Sequence, residues 1–193
     1  MKIALLGWGS LIWNKGDLKI VEKHWNEDGP MLPIEFARMS TGGRLTLVIK
    51  PNWKQVTVLY STSEFTELDA AIENLQIREG TPAERIGFYN FQTGDKNIRE
   101  ANIPILENLI YWNKNQGFDA IIWTDLPPNF RDKLNLVFNL ENVSHVLKNL
   151  NPADFDSARE YIEKAPQQVE TLFRGEIEKI VQDIQRLKET SKQ

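Results

Sequence analysis

An α+β fold is predicted by three features of this 193-residue chain. Between Ile34 and Tyr60, apolar residues alternate with period two in three successive runs, separated by turn residues. After Pro104 the spacing becomes helical, with Asn151-Pro152 and Pro166 as helix starts. The three runs lack the intervening helices of a βαβ series, so strands and helices segregate along the chain. The expected architecture is a mixed β-sheet or small barrel in residues 1–103. A mostly helical extension, residues 104–193, packs on that core.

Residues 3–6 form a short apolar run and read as a buried strand. Lys15-Gly16-Asp17 is a turn, residues 17–25 fit a short helix or an extended loop, and residues 26–33, with two prolines and a glycine, read as loop. Ile34, Phe36 and Arg38 share one face of the next strand, Leu45, Leu47 and Ile49 a face of the second, and Val56, Val58 and Tyr60 a face of the third. Thr41-Gly42-Gly43 and Pro51-Asn52-Trp53 link them as an antiparallel meander. Thr66, with Asp69 three residues on, is positioned to cap a helix whose inward face carries Leu68, Ile72 and Leu75; it ends near Ile77, with Gly80 as the stop. Residues 86–91 read as a strand followed by a Thr93-Gly94-Asp95 turn. Pro104 opens a helix with Leu106, Leu109 and Ile110 inward, and residues 120–124 form a short apolar strand before Pro127-Pro128. Asn151 and Pro152 start a helix that reaches about Lys164. The last helix is expected from Pro166, burying Val169, Leu172, Phe173, Ile177, Ile180, Val181, Ile184 and Leu187, with a polar tail from residue 190.

The totals exclude several functions. Net charge is −4 and the sequence pI about 5.3, which leaves no basic footprint for nucleic acid. No apolar run approaches the ~20 residues that span a bilayer, so no membrane partner is expected. The N-terminus does not read as a signal peptide, and a cytoplasmic location is the default expectation. With no cysteine there is no disulfide, thiolate nucleophile or cysteine metal site. His24 and His145 are far apart without ligand spacing, so a metal site is not expected.

The stretch with most chemical content is Gly7-Trp8-Gly9-Ser10, directly after the first strand. Glycine at position 9 permits positive φ and close approach to the main chain, and successive N–H groups in such a bend make an anion-binding nest. Gly7-x-Gly9 also begins a dinucleotide fingerprint, but Ile12 stands where the third glycine belongs and would obstruct helix–strand packing.

Gly7-Trp8-Gly9-Ser10-Leu11-Ile12-Trp13-Asn14 resembles the Gly-Tyr-Gly-Ser-Leu-aliphatic-Trp-Asn signature of the γ-glutamylcyclotransferase superfamily, most closely its ChaC-type branch. Leu75-Gln76-Ile77-Arg78-Glu79-Gly80 resembles that superfamily's Glu-Gly element after a helix, and the strand with Phe88-Tyr89 its aromatic-bearing strand. The resemblance covers residues 1 to about 91. Trp8 stands in place of the signature tyrosine, so the loop lacks a phenolic hydroxyl. The resemblance implies that the free α-amine of a small γ-glutamyl substrate attacks its own γ-carbonyl, giving 5-oxoproline and a released amine or amino acid. Glutathione is one substrate it implies. It further implies Glu79 as general acid/base, and Trp8, Gly9, Ser10 and Leu11 as the substrate cradle, with Tyr89 closing the pocket. No cofactor is needed, because the substrate supplies the nucleophile. The alternative is a non-catalytic member of the same fold that binds a small ligand or a protein partner.

Other polar residues read more simply. Asp119, Asp125, Glu176, Glu178 and Asp183 are expected on solvated faces, and Arg38 as a buried counter-ion or a side chain snorkelling from a strand edge.

Overall fold

In a computed structural model, residues 1–21, 24–40 and 43–190 are described. The fold is α+β, with eight strands in two sheets and six helices among the described residues. The strands are β1 (Ile3–Gly7), β2 (Met31–Met39), β3 (Leu45–Ile49), β4 (Gln55–Thr57), β5 (Leu59–Thr62), β6 (Ile86–Asn90), β7 (Lys96–Asn97) and β8 (Ala120–Thr124). The helices are α1 (Leu68–Glu79), α2 (Ile105–Asn113), α3 (Phe130–Leu134), α4 (Leu140–Lys148), α5 (Pro152–Lys164) and α6 (Arg174–Thr190). No helix among the described residues is long and apolar enough to cross a membrane.

The larger sheet has the order β5-β1-β8-β6-β7, with β1 and β8 parallel and the other pairs antiparallel. Buried on both faces, β1 and β8 are continuous apolar runs, as such central strands must be. Ile3, Leu5, Ala120 and Ile122 point toward α1, where Ala71 and Leu75 meet them. Ala4, Leu6, Ile121 and Trp123 point the other way, into the main core shared with β2, β3 and α5. The sheet's central strand therefore comes from the far side of the boundary expected at residue 103.

The smaller sheet has the order β3-β2-β4, which corrects the expected meander. The third run divides at Val58: β4 joins β2, while β5 crosses to pair with β1. The turn before it does not fold β4 onto β3, because Trp53 is drawn across β2, its indole N–H donating to Glu35 at 2.8 Å. The same β2 begins at Met31, inside the segment read as loop. The link at Thr41-Gly42 lies outside the described residues, as does the tail beyond Thr190.

Glu35 is fully buried and explains the largest departure from expectation. Its carboxylate accepts from Trp53, from the Thr171 hydroxyl at 2.7 Å and from the main-chain N–H groups of Phe36 and Phe173. These bonds hold the chain before α6 against β2 in a non-helical path. The Arg174 guanidinium fastens the same segment by donating to the carbonyls of Ala165, Pro166 and Val169. The last helix consequently starts at Arg174 rather than Pro166, and Leu172 and Leu187 are exposed rather than buried.

Smaller corrections follow the same logic. α1 is preceded by Glu67 rather than capped by Thr66, with no side-chain cap, and runs to Glu79. Ile105 and Leu109 are the inward residues of α2, and Ile110 is exposed. Asp125 is buried, accepting from the Arg99 main chain and side chain and from Asn102. α3 and α4 went unread in the sequence, although Asn139 caps α4 and Val143 and Leu147 are its buried i, i+4 pair.

Glu35→Leu leaves the indole, hydroxyl and amide donors of Trp53, Thr171 and Phe173 without their acceptor. It is expected to destabilise the fold by ~3 kcal/mol or more, because buried unpaired donors cost ~1–3 kcal/mol each. Urea denaturation measures the loss, and Glu35→Gln, which keeps one acceptor oxygen, should lose less.

Candidate functional site

Ala71, Leu75 and Glu79 lie at i, i+4 and i+8, so they form one stripe along α1. Ala71 and Leu75 are buried against the sheet, and the stripe carries Glu79 inward at the helix end. Its side chain is 15% exposed, whereas Ile77, off the stripe, is 67% exposed. Gly80 follows in the left-handed conformation, φ 58°, and its N–H closes the helix on Gln76 and Ile77.

Glu79 and the glycine loop line the same cleft, of about 320 Å³. The cleft lies at the carboxyl ends of the parallel pair β1 and β8, with Gly7 to Leu11 on one wall and Thr124 and Leu126 beside them. Arg78, Glu79, Gly80 and Thr81 come from the end of α1. Arg38, Ser40, Arg44 and Thr46 come from the β2–β3 hairpin. Open crevices at strand carboxyl ends are where α/β sheets commonly bind ligands.

The glycine loop is a turn and not the start of a helix. Ile12 N–H bonds the Gly9 carbonyl at 3.0 Å and Asn14 N–H bonds that of Ser10 at 2.9 Å. This removes the helix N-terminus that a dinucleotide pyrophosphate would need. Among the described residues, the N–H groups of Gly9 and Leu11 donate to no protein acceptor. Gly9 does not take positive φ, contrary to expectation. The need for glycine is steric: a Cβ there would lie 2.3 Å from the Tyr161 hydroxyl oxygen.

The other expected residues are placed as follows. Ser10 lines the cleft and its hydroxyl accepts from Arg78 at 3.3 Å. Trp8 is buried in the main core, its indole N–H donating to the Leu47 carbonyl at 3.3 Å. It serves as a wall of the cleft and a strut for β3. Tyr89 does not line the cleft; on β6 its ring packs edge-on against Phe91 at 5.2 Å. Arg38 turns from the Ile34/Phe36 face because β2 shifts register between Glu35 and Arg38, so Met39 takes the core position. Its guanidinium donates to the Pro127 carbonyl at 2.8 Å, beside the cleft.

Arg44 and Tyr161 are among the cleft residues not singled out in the sequence. Arg44 bonds Ser40 through Nε, and its guanidinium carbon lies 5.8 Å from the Tyr161 ring centre. Tyr161, from α5, is 7% exposed and its hydroxyl oxygen accepts from Leu47 N–H at 3.4 Å. As one aromatic on a stripe with Phe155, Ala158 and Ile162, Tyr161 gives no signal in the sequence that separates it from core.

A second chamber of about 520 Å³ adjoins the cleft. Ser10, Arg44, Arg78 and Tyr161 line both spaces and so stand at the boundary between them. Trp13, Asp17, Ser157 and Glu160 line the outer chamber.

Burial pushes the Glu79 carboxyl above its ordinary range. The Arg78 charge and its 2.5 Å bond to Glu79, then the nearby Thr124 hydroxyl and Arg44, pull it down, and burial prevails. Burial also pushes the Tyr161 phenol up to about 12, against the Leu47 amide bond and with the negative charge of Glu79. Such a cleft can bind a carboxylate or a developing oxyanion, and can move a proton at Glu79. Comparison with protein-family models, curated proteins and solved structures finds no match for this chain.

Since the folded chain holds the Glu79 proton more tightly, stability falls as pH rises from the ordinary carboxyl value of 4.5 through the raised one. Glu79→Gln, which has no proton to lose, is therefore expected to gain in melting temperature relative to the parent as pH goes from acid to neutral. A difference that stays flat across that range would show that the carboxyl is not desolvated.

Proposed function

We propose that this chain is a γ-glutamylcyclotransferase-like lyase that cyclises a small γ-glutamyl amide to 5-oxoproline and releases an amine or amino acid. Assignment of the fold to that superfamily is part of the proposal. The observation that carries it is a buried carboxyl with a raised pKa, facing a glycine turn with free N–H groups across a cleft sized for a glutamyl group.

In this reading the substrate brings its own nucleophile, and the protein supplies orientation, a proton relay and charge stabilisation. Holding the α-amine against the γ-carbonyl can supply ~7–11 kcal/mol in favourable cases. Glu79 takes the proton from the attacking nitrogen and delivers it to the leaving nitrogen. A raised pKa suits a group that must both accept and donate near neutral pH. The amides of Gly9 and Leu11, with the Arg38 and Arg44 guanidiniums, hold the glutamyl α-carboxylate. The leaving portion extends past Ser10, Arg44, Arg78 and Tyr161 toward the outer chamber.

Incubation with a panel of γ-glutamyl amino acids, amines and glutathione should release 5-oxoproline from at least one. Glu79→Gln should lower the rate by ~10²–10⁴-fold, the usual contribution of a positioned acid–base group. Equal rates in the two proteins would remove Glu79 from this role.

A second reading, ligand binding without turnover, is favoured by the Arg78–Glu79 pair, because a guanidinium at 2.5 Å competes for the carboxylate that must act as base. Calorimetric binding of a γ-glutamyl amide by a protein that releases no 5-oxoproline would select it.

A further inference from the structure

We propose that Tyr161 is a catalytic hydrogen-bond donor, its phenolic O–H binding the substrate's γ-carbonyl oxygen and stabilising the negative charge that gathers there when the α-amine attacks. The inference rests on the cyclising reading above and adds a residue from α5, outside the segment that carries the resemblance.

The argument is an inventory of one oxygen. A phenol has one proton to give and two lone pairs to receive with. The Tyr161 oxygen accepts from Leu47 N–H at 3.4 Å, and the Ser10 N–H acts on the same atom. Its receiving side is thus turned to the protein. Its own proton meets no acceptor among the described residues, although the residue is only 7% exposed. The ring is held from several sides: the missing Cβ of Gly9 admits the hydroxyl, Trp13 packs edge-on at 5.2 Å and Arg44 lies over the ring. A buried donor locked in place without an acceptor is arranged for something that enters the cleft.

Its location names that partner. Tyr161 lines both the inner cleft and the outer chamber, so a substrate with its glutamyl portion in one and its leaving portion in the other places the bond that joins them beside it. As the C–N bond to the α-amine forms, the carbonyl π pair moves onto oxygen and Tyr161 donates to it without giving up its proton. The pair then returns, the bond to the leaving nitrogen breaks, and Glu79 carries the proton from one nitrogen to the other. With its pKa near 12 the phenol remains a neutral donor at working pH. It supplies from α5 the hydroxyl that Trp8 cannot supply from the loop.

The test is Tyr161→Phe, assayed for 5-oxoproline release beside the parent and Glu79→Gln. The expected result is a fall of ~10²-fold or more in kcat, as for loss of one oxyanion donor, with KM little changed. Site-specific difluorotyrosine at 161 keeps the oxygen but loses its proton at lower pH, so the high-pH limb of kcat should move down. Unchanged kcat in Tyr161→Phe, or an unmoved limb with the fluorinated residue, overturns the assignment while leaving the lyase reading intact. Absence of 5-oxoproline from the parent on every substrate overturns both. The position itself is tested by stability: Gly9→Ala should cost less in the Tyr161→Phe background than in the parent, and equal costs would show that the hydroxyl does not sit over Gly9.

Discussion

The close approach of the Tyr161 hydroxyl to the main chain at Gly9 is the constraint on which the cleft depends. A Cβ at position 9 would fall 2.3 Å from that oxygen, so any other residue would drive α5 away from the loop. The same hydroxyl accepts from the amide of Leu47, whose carbonyl receives the indole N–H of Trp8. One residue of β3 is thereby gripped from two sides, and the loop, the hairpin and α5 are fixed around one space. Packing there serves geometry: the walls are rigid because each is another wall's partner.

The electrostatics of that space are set by imbalance. Arg38, Arg44 and Arg78 face it with Glu79 as their one acidic counterpart on the inner lining among the described residues. Arg78 is already engaged with Glu79, Ser10 and the Asn14 carbonyl. The remaining positive charge favours an anionic guest, and a low-exposure setting strengthens each contact. Burial nevertheless keeps the Glu79 carboxyl able to hold a proton beside these cations. An acid beside clustered guanidiniums is the arrangement on which the proposed lyase reading relies.

Much of this was legible in the residues. Local spacing placed α1, its glycine stop and the Asn151-Pro152 start of α5, because caps and periodicity act over a few residues. The stripe through Leu75 also carries Glu79 inward, which links sequence directly to site. What escaped were features decided at long range. The route of β4 and β5 between sheets depends on Trp53 reaching Glu35, 18 positions away. The delayed start of α6 depends on that same carboxylate and on Arg174. Tyr161 has the apolar context of any core aromatic, and only the missing Cβ at Gly9 sets it apart. Tyr89 illustrates the converse: it faces the main core, but it pairs with Ile121, three residues along the ladder from the Ile86–Thr124 pair at the cleft.

The position of β8 between β1 and β6 bears on how the molecule assembles. During synthesis, β1 emerges first and β6 some eighty residues later, yet neither can pair with the other. Until Ala120–Thr124 slots in, β1 has only β5 and β6 only β7 as a neighbour, and the parallel β1–β8 ladder closes a loop of more than a hundred residues. Such distant closure is slow compared with helix formation. An emerging chain therefore carries open apolar edges for much of its time on the ribosome, a state that invites chaperone attention or mispairing. Residues 1–103, in other words, complete their larger sheet only after Ala120–Thr124 has been translated.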